Sequence, residues 1–174
     1  LNPGPDYQTG WGLFNAVSAV ELVELDAQDG RGTHLKELEM AVGVTNSWLV
    51  GVNGSEFKVT IGWNDPPGVP TGYADDPTPM LVNDIDLWIE TEDGAQVFRP
   101  WILDPDLQNE RETNRNAFAT TGIDDRNNVE QVLIKNPASG LYRICIAHTG
   151  GTAGGQTPTT QWVSVATSGD TPLS

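Results

Sequence analysis

The chain of 174 residues carries 9 lysines and arginines against 24 aspartates and glutamates, a formal net charge of −15. A surface so acidic repels the phosphates of nucleic acid and of anionic membranes, which excludes both as partners. Apolar residues make up 37% of the chain, enough for one core, and no apolar run approaches the ~18 residues that span a bilayer.

A single cysteine, Cys145, rules out an internal disulfide and any multi-cysteine metal site. Two histidines, His34 and His148, are too few for a zinc centre, so any bound metal is expected to be a hard cation held by oxygens. The 19 glycines and 12 prolines punctuate the chain with turns, in the manner of an all-β domain.

The first residues, Leu1 to Asp6, lack both the basic start and the apolar centre of a signal peptide and have no initiator methionine. They read as an internal piece of a longer polypeptide. Leu13, Ala16, Val17, Val20 and Val23 then recur at helical spacing, which predicts an amphipathic helix over about residues 12–25, ending before Asp26-Ala27-Gln28-Asp29-Gly30. Its apolar stripe needs a partner, either the β domain or another body.

From about residue 35 the period changes to two. Strands are expected at 37–42, 48–52 and 57–63, with Phe57, Val59, Ile61 and Trp63 on one face. The proline-rich stretch 64–79 is too broken to be strand. Further strands are expected at 81–90 and 95–102, then at 129–135, 141–147 and 161–166. Residues 103–128 are expected to form a long polar loop. About eight antiparallel strands separated by turn signals predict a jelly-roll β-sandwich over 31–174, with residues 1–30 as a separate helical remnant.

Asp84 and Asp86, two apart in the strand 81–90, share a face about 6.6 Å apart at a rise of ~3.3 Å per residue. Like charges so placed repel unless a cation lies beside them, and calcium, which takes six to eight oxygens, is the natural candidate. The amide of Asn83, Asp65 with Asn64, Asp75 and Asp76, or Asp124 and Asp125 with Asn127 and Asn128 are candidates for the remaining oxygens. The spacing does not fit a twelve-residue EF-hand loop, so such a site is assembled from several loops.

Other chemistries are weaker. No acid stands out from the rest as a glycosidase pair requires. Trp88 and Trp101 are the tryptophans placed for exposure, as a sugar-stacking module would need, whereas Trp11, Trp48 and Trp63 read as packing residues. Asn53-Gly54-Ser55 matches a glycosylation sequon, relevant only in a eukaryotic secretory route. Cys145 reads as an inert buried thiol.

Pro5-Asp6-Tyr7-Gln8-Thr9-Gly10-Trp11-Gly12-Leu13-Phe14-Asn15-Ala16 resembles the end of a subtilisin-like catalytic domain. The remainder is similar to the jelly-roll domain that follows it in some secreted bacterial subtilases. The matching landmarks are Val59-Thr60-Ile61-Gly62-Trp63-Asn64-Asp65-Pro66-Pro67-Gly68 and Leu81-Val82-Asn83-Asp84-Ile85-Asp86-Leu87. They continue in Asn127-Asn128-Val129-Glu130-Gln131-Val132 and Asn136-Pro137-Ala138-Ser139-Gly140-Leu141-Tyr142. The resemblance implies a secreted, extracellular serine endopeptidase as parent, with calcium in the β domain. The expected partners are the catalytic domain and the parent's protein substrates.

The chain departs from that family where activity resides. Arg31-Gly32-Thr33-His34 resembles part of the histidine motif, yet Arg31 stands where the catalytic histidine belongs. No Gly-Thr-Ser-Met-Ala nucleophile segment and no orienting Asp-Ser/Thr-Gly segment is present. Without three groups in hydrogen-bond reach there is no triad, so the expectation is a non-catalytic accessory domain. The alternative is a stand-alone glycan- or protein-binding sandwich.

Overall fold

A computed structural model describes residues 4–30, 32–73, 76, 78–103, 117–151 and 156–168. In it a helix, α1 (Ala16–Asp29), precedes ten strands. The first five are β1 (Leu35–Met40), β2 (Thr45–Val52), β3 (Glu56–Trp63), β4 (Ile85–Thr91) and β5 (Val97–Phe98). The others are β6 (Trp101–Ile102), β7 (Thr120–Thr121), β8 (Val129–Lys135), β9 (Gly140–His148) and β10 (Gln161–Ser168).

Two four-stranded antiparallel sheets run β1-β10-β3-β8 and β2-β9-β4-β5, while β6 and β7 pair apart from them. Counting only the eight strands of the two sheets in chain order, the sequence is first-eighth-third-sixth in one and second-seventh-fourth-fifth in the other. That is the strand order of a jelly roll.

The sheets close on a core supplied by alternate residues. Phe57, Val59, Ile61 and Trp63 of β3 all point inward, with Val132 and Ile134 of β8 and Val163 and Val165 of β10. Against them lie Val50 and Val52 of β2, Ile85, Leu87 and Ile89 of β4, and Tyr142, Ile144 and Ile146 of β9. Each such side chain contributes about 1.5–3 kcal/mol by leaving water. Phe57, Tyr142 and Phe98 form a tilted aromatic series with centroid separations of 5.9 and 6.3 Å.

Several boundaries differ from the sequence expectation, and within the expected loop 103–128, of which 104–116 lie outside the described residues, Thr120–Thr121 pairs as β7. The helix starts and ends four residues later, capped by the Asn15 side chain, which accepts the Ser18 N–H, and terminated by Gly30 in the left-handed conformation. The polar residues before Gly30 continue the helix rather than turn. Residues 81–84 are not strand, because the Asp65 carboxylate takes the Val82 and Asn83 N–H groups and Gly151 N–H bonds to the Val82 carbonyl. The expected strand 95–102 breaks at Pro100, which has no N–H to donate, and its halves join different sheets.

The N-terminal region is tied to the sandwich at two points. Asp26 Oδ1 accepts the N–H groups of His34 and Leu35, aligning the helix end with β1. Gly4 lies so close to Trp101 and Ala119 that a Cβ there would come within 2.9 Å of each. Between these points α1 stands off, with Leu13 fully exposed, Phe14 83% exposed and Val17, Val20 and Val23 more than half exposed. No helix among the described residues is long and apolar enough to cross a membrane.

Candidate metal centre

Because Ile85, Leu87 and Ile89 face the core, the intervening positions of β4 present Trp88 and Asp86, with Asp84 just ahead of the strand, on the outer face. Asp84 is half-buried. Its Oδ2 accepts the Thr149 hydroxyl at 3.2 Å, and its backbone carbonyl accepts the Thr149 N–H at 3.0 Å. Its Oδ1 is buried with no hydrogen-bond partner. Burial first, and then the neighbouring Asp86, push the Asp84 carboxyl up to about 6.

Asp86 is also raised, mainly by burial, and is pulled back by the Thr149 hydroxyl and by Arg99. The Arg99 guanidinium lies 5.6 Å from the Trp88 ring centroid, so one arginine serves both the ring and the carboxylate. The charge expected beside the aspartate pair is therefore supplied at Asp86 by the protein itself.

Glu130 joins this group from the opposite sheet. It lies on the inward-facing side of β8, fully buried, with Oε2 accepting the Leu87 N–H at 2.7 Å and Oε1 unpartnered. β5 is too short to pair with β4 at Leu87, and the glutamate occupies the place of the missing strand. Burial pushes its carboxyl up to about 10. The Leu87 N–H counteracts this, while Asp86, Asp124 and Asp84 add to it.

The remaining expected ligands divide. Asp124 is buried and its charge reaches Asp84, Asp86 and Glu130, yet both its oxygens are engaged by the Arg126 and Asn127 N–H groups and the Asn127 amide. Asp125 is exposed and pairs with Arg126 at 3.5 Å. Each Asp65 oxygen holds a backbone N–H, at 2.7 and 2.8 Å. Asn83 is buried with both ends used, Nδ2 donating to Gln161 Oε1 and Oδ1 accepting from the Thr159 N–H. Asn128 donates to the Trp63 carbonyl, and Asp76 caps its own turn at Thr78. Asp75 lies outside the described residues.

Among the described residues, no three histidine, cysteine or acidic side chains converge closely enough to ligate one ion. What the structure brings together is an acidic group with two buried, unpartnered oxygens, Asp84 Oδ1 and Glu130 Oε1. The donor chemistry, all hard oxygen, suits calcium rather than a softer metal. Sequence reasoning had not singled out Glu130, although the signal was present: it shares the parity of Val132 and Ile134, an acid on an apolar face.

The other singled-out groups are structural. His34 Nδ1 bonds to the Thr167 carbonyl and His148 Nε2 to the Thr159 carbonyl. Burial pushes the Cys145 thiol up to about 11, which leaves it unreactive. Compared with known proteins, the chain matches no family model, and no curated protein resembles it significantly.

Proposed function

We propose that this chain is the non-catalytic accessory part of a secreted subtilisin-like serine endopeptidase, docked on the catalytic domain through α1. The observation that carries this reading is the uncovered apolar stripe of α1 and its lead-in. Leu13, Phe14, Val17, Val20 and Val23 are exposed while the sandwich core is complete without them. An amphipathic helix that its own domain does not cover suits a second body. The reading also rests on the sequence resemblance, which assigns α1 to the peptidase side.

Within the same reading, the group around Asp84 and Asp86 holds calcium. Asp84 Oδ1 supplies a free oxygen, Asp86 supplies further charge, and backbone or solvent oxygens complete the shell. Calcium there would bind β4 to the 149–151 segment, stiffening the domain that supports the peptidase. Protein substrates then belong to the parent's active site rather than to this chain.

The test is the coding sequence ahead of Leu1 together with a fluorophosphonate probe. A serine nucleophile segment upstream, labelling of the longer polypeptide, and none of this chain alone are expected. Labelling of the isolated chain, or a gene with no peptidase ahead of it, overturns the reading. The sugar-stacking alternative loses its expected platform, because Arg99 covers Trp88 and Gly4 packs on Trp101.

A further inference from the structure

The outer face of the β1-β10-β3-β8 sheet carries a cavity of 330 Å³ between Trp162, Asn64, Glu37 and Ser164, floored by Gly62. It shares Glu37, Gly62 and Ser164 with a second cavity of 390 Å³ that continues toward Leu35 and Val129. We propose that the Trp162 cavity binds a neutral saccharide, its ring stacked on the Trp162 indole and its hydroxyls bonded to Glu37 and Asn64.

Gly62 is the first reason. It sits inside β3, paired with Ser164 on one side and Val129 on the other. A glycine there weakens a strand, and it is kept where backbone geometry or crowding demands it. Neither applies here: Gly62 is not among the positive-φ residues, and an added Cβ would meet only ordinary contacts, Val129 Cγ2 at 3.8 Å and the Asn128 carbonyl at 3.9 Å. The fold has no use for the missing side chain. Its absence opens the cavity floor, and a local rule broken without structural compensation points to function.

The second reason is the set of groups left open around that floor. Trp162 is 57% exposed, although its indole would gain by burial. Glu37 is exposed and accepts the Ser164 hydroxyl through Oε1 at 2.7 Å, which leaves Oε2 for another donor. The Asn64 amide is exposed and makes no hydrogen bond among the described residues. An aromatic face with a carboxylate and an amide beside it matches a pyranose, which offers C–H groups on one face and hydroxyls at its edge. Glu39, opposite Trp162 in register, and the net charge of −15 disfavour an anionic glycan. A polypeptide strand is disfavoured too, because β3 and β10 are interior strands whose backbone groups are already paired within the sheet.

The inference is independent of the peptidase and calcium readings. Calorimetric titration of the full chain with cellohexaose, xylohexaose and chitohexaose is expected to show binding of at least one. Trp162→Ala and Gly62→Val are each expected to weaken that binding by at least about tenfold, while Gly62→Val melts no lower than the wild type. Should Gly62→Val fail to fold, the exposed Trp162→Ala decides alone. Absence of heat with all three sugars, or affinity unchanged in Trp162→Ala, overturns the proposal. So does binding of a basic decapeptide that the same substitutions abolish.

Discussion

Glu130 Oε2 lies 2.7 Å from the backbone nitrogen of Leu87, a hydrogen bond that joins the edge of one sheet to the edge of the other where no strand is left to do so. The bond keeps a carboxyl in the core, and its remaining oxygen has no partner. An acid in that position is more stable with its proton than without it.

Stability should therefore depend on pH through Glu130. A carboxyl raised from 4.5 to about 10 binds a proton in the folded state that the unfolded chain has already released. Its stabilising effect is complete below pH 4.5 and is lost as pH rises toward 10, at a slope approaching about 1.4 kcal/mol per pH unit. Glu130→Gln keeps the acceptor for Leu87 and removes the titration. Denaturant unfolding from pH 5 to pH 9 should show a falling wild type and a flatter variant, the variant being the more stable at the alkaline end.

Calcium at millimolar concentration should raise the melting temperature, because a ligand that binds only the folded chain stabilises it by mass action. Asp84→Asn with Asp86→Asn should abolish that rise. In chelator the same double variant should be more stable than the wild type by about 1–2 kcal/mol, since two half-buried carboxylates no longer repel each other. Scanning calorimetry with and without calcium measures both effects.

Asp65 reads as a structural clamp. Asp65→Ala strips partners from the Val82 and Asn83 N–H groups in a buried segment, at a cost of about 2–4 kcal/mol. Asp65→Asn retains an acceptor and should lose less. A calcium-induced shift that persists in Asp65→Asn would separate the clamp from the cation site.

On the proposed reading, the α1 stripe should matter to the parent enzyme and not to this domain. Leu13→Asp, Val17→Asp and Val20→Asp together alter exposed side chains, so the isolated chain's unfolding free energy should change by less than about 0.5 kcal/mol per substitution. Thermal inactivation of the longer peptidase should quicken markedly. Equal half-lives for variant and wild-type peptidase would show that the stripe covers nothing.

Much of this architecture is readable from residue order. The parity of Phe57, Val59, Ile61 and Trp63, of Ile85, Leu87 and Ile89, and of Val163 and Val165 assigns inward faces strand by strand, because side chains in a strand alternate. The same parity places Asp84 and Asp86 together on the outer face. Helical spacing from Leu13 to Val23 locates α1, and Gly30 marks its end once the left-handed cap is known.

The chain alone therefore determined the class of fold, the inward residues and an acidic pair on one face, since all three follow from local periodicity and composition. Tertiary structure decided what those residues meet. It carried Glu130 across to Leu87, turned Asn83 inward onto Gln161 and Thr159, laid Arg99 over Trp88 and left Trp162 open beside Gly62. Those partners lie 11 to 100 residues apart in the chain, and periodicity says which face a residue occupies without saying which strand will face it.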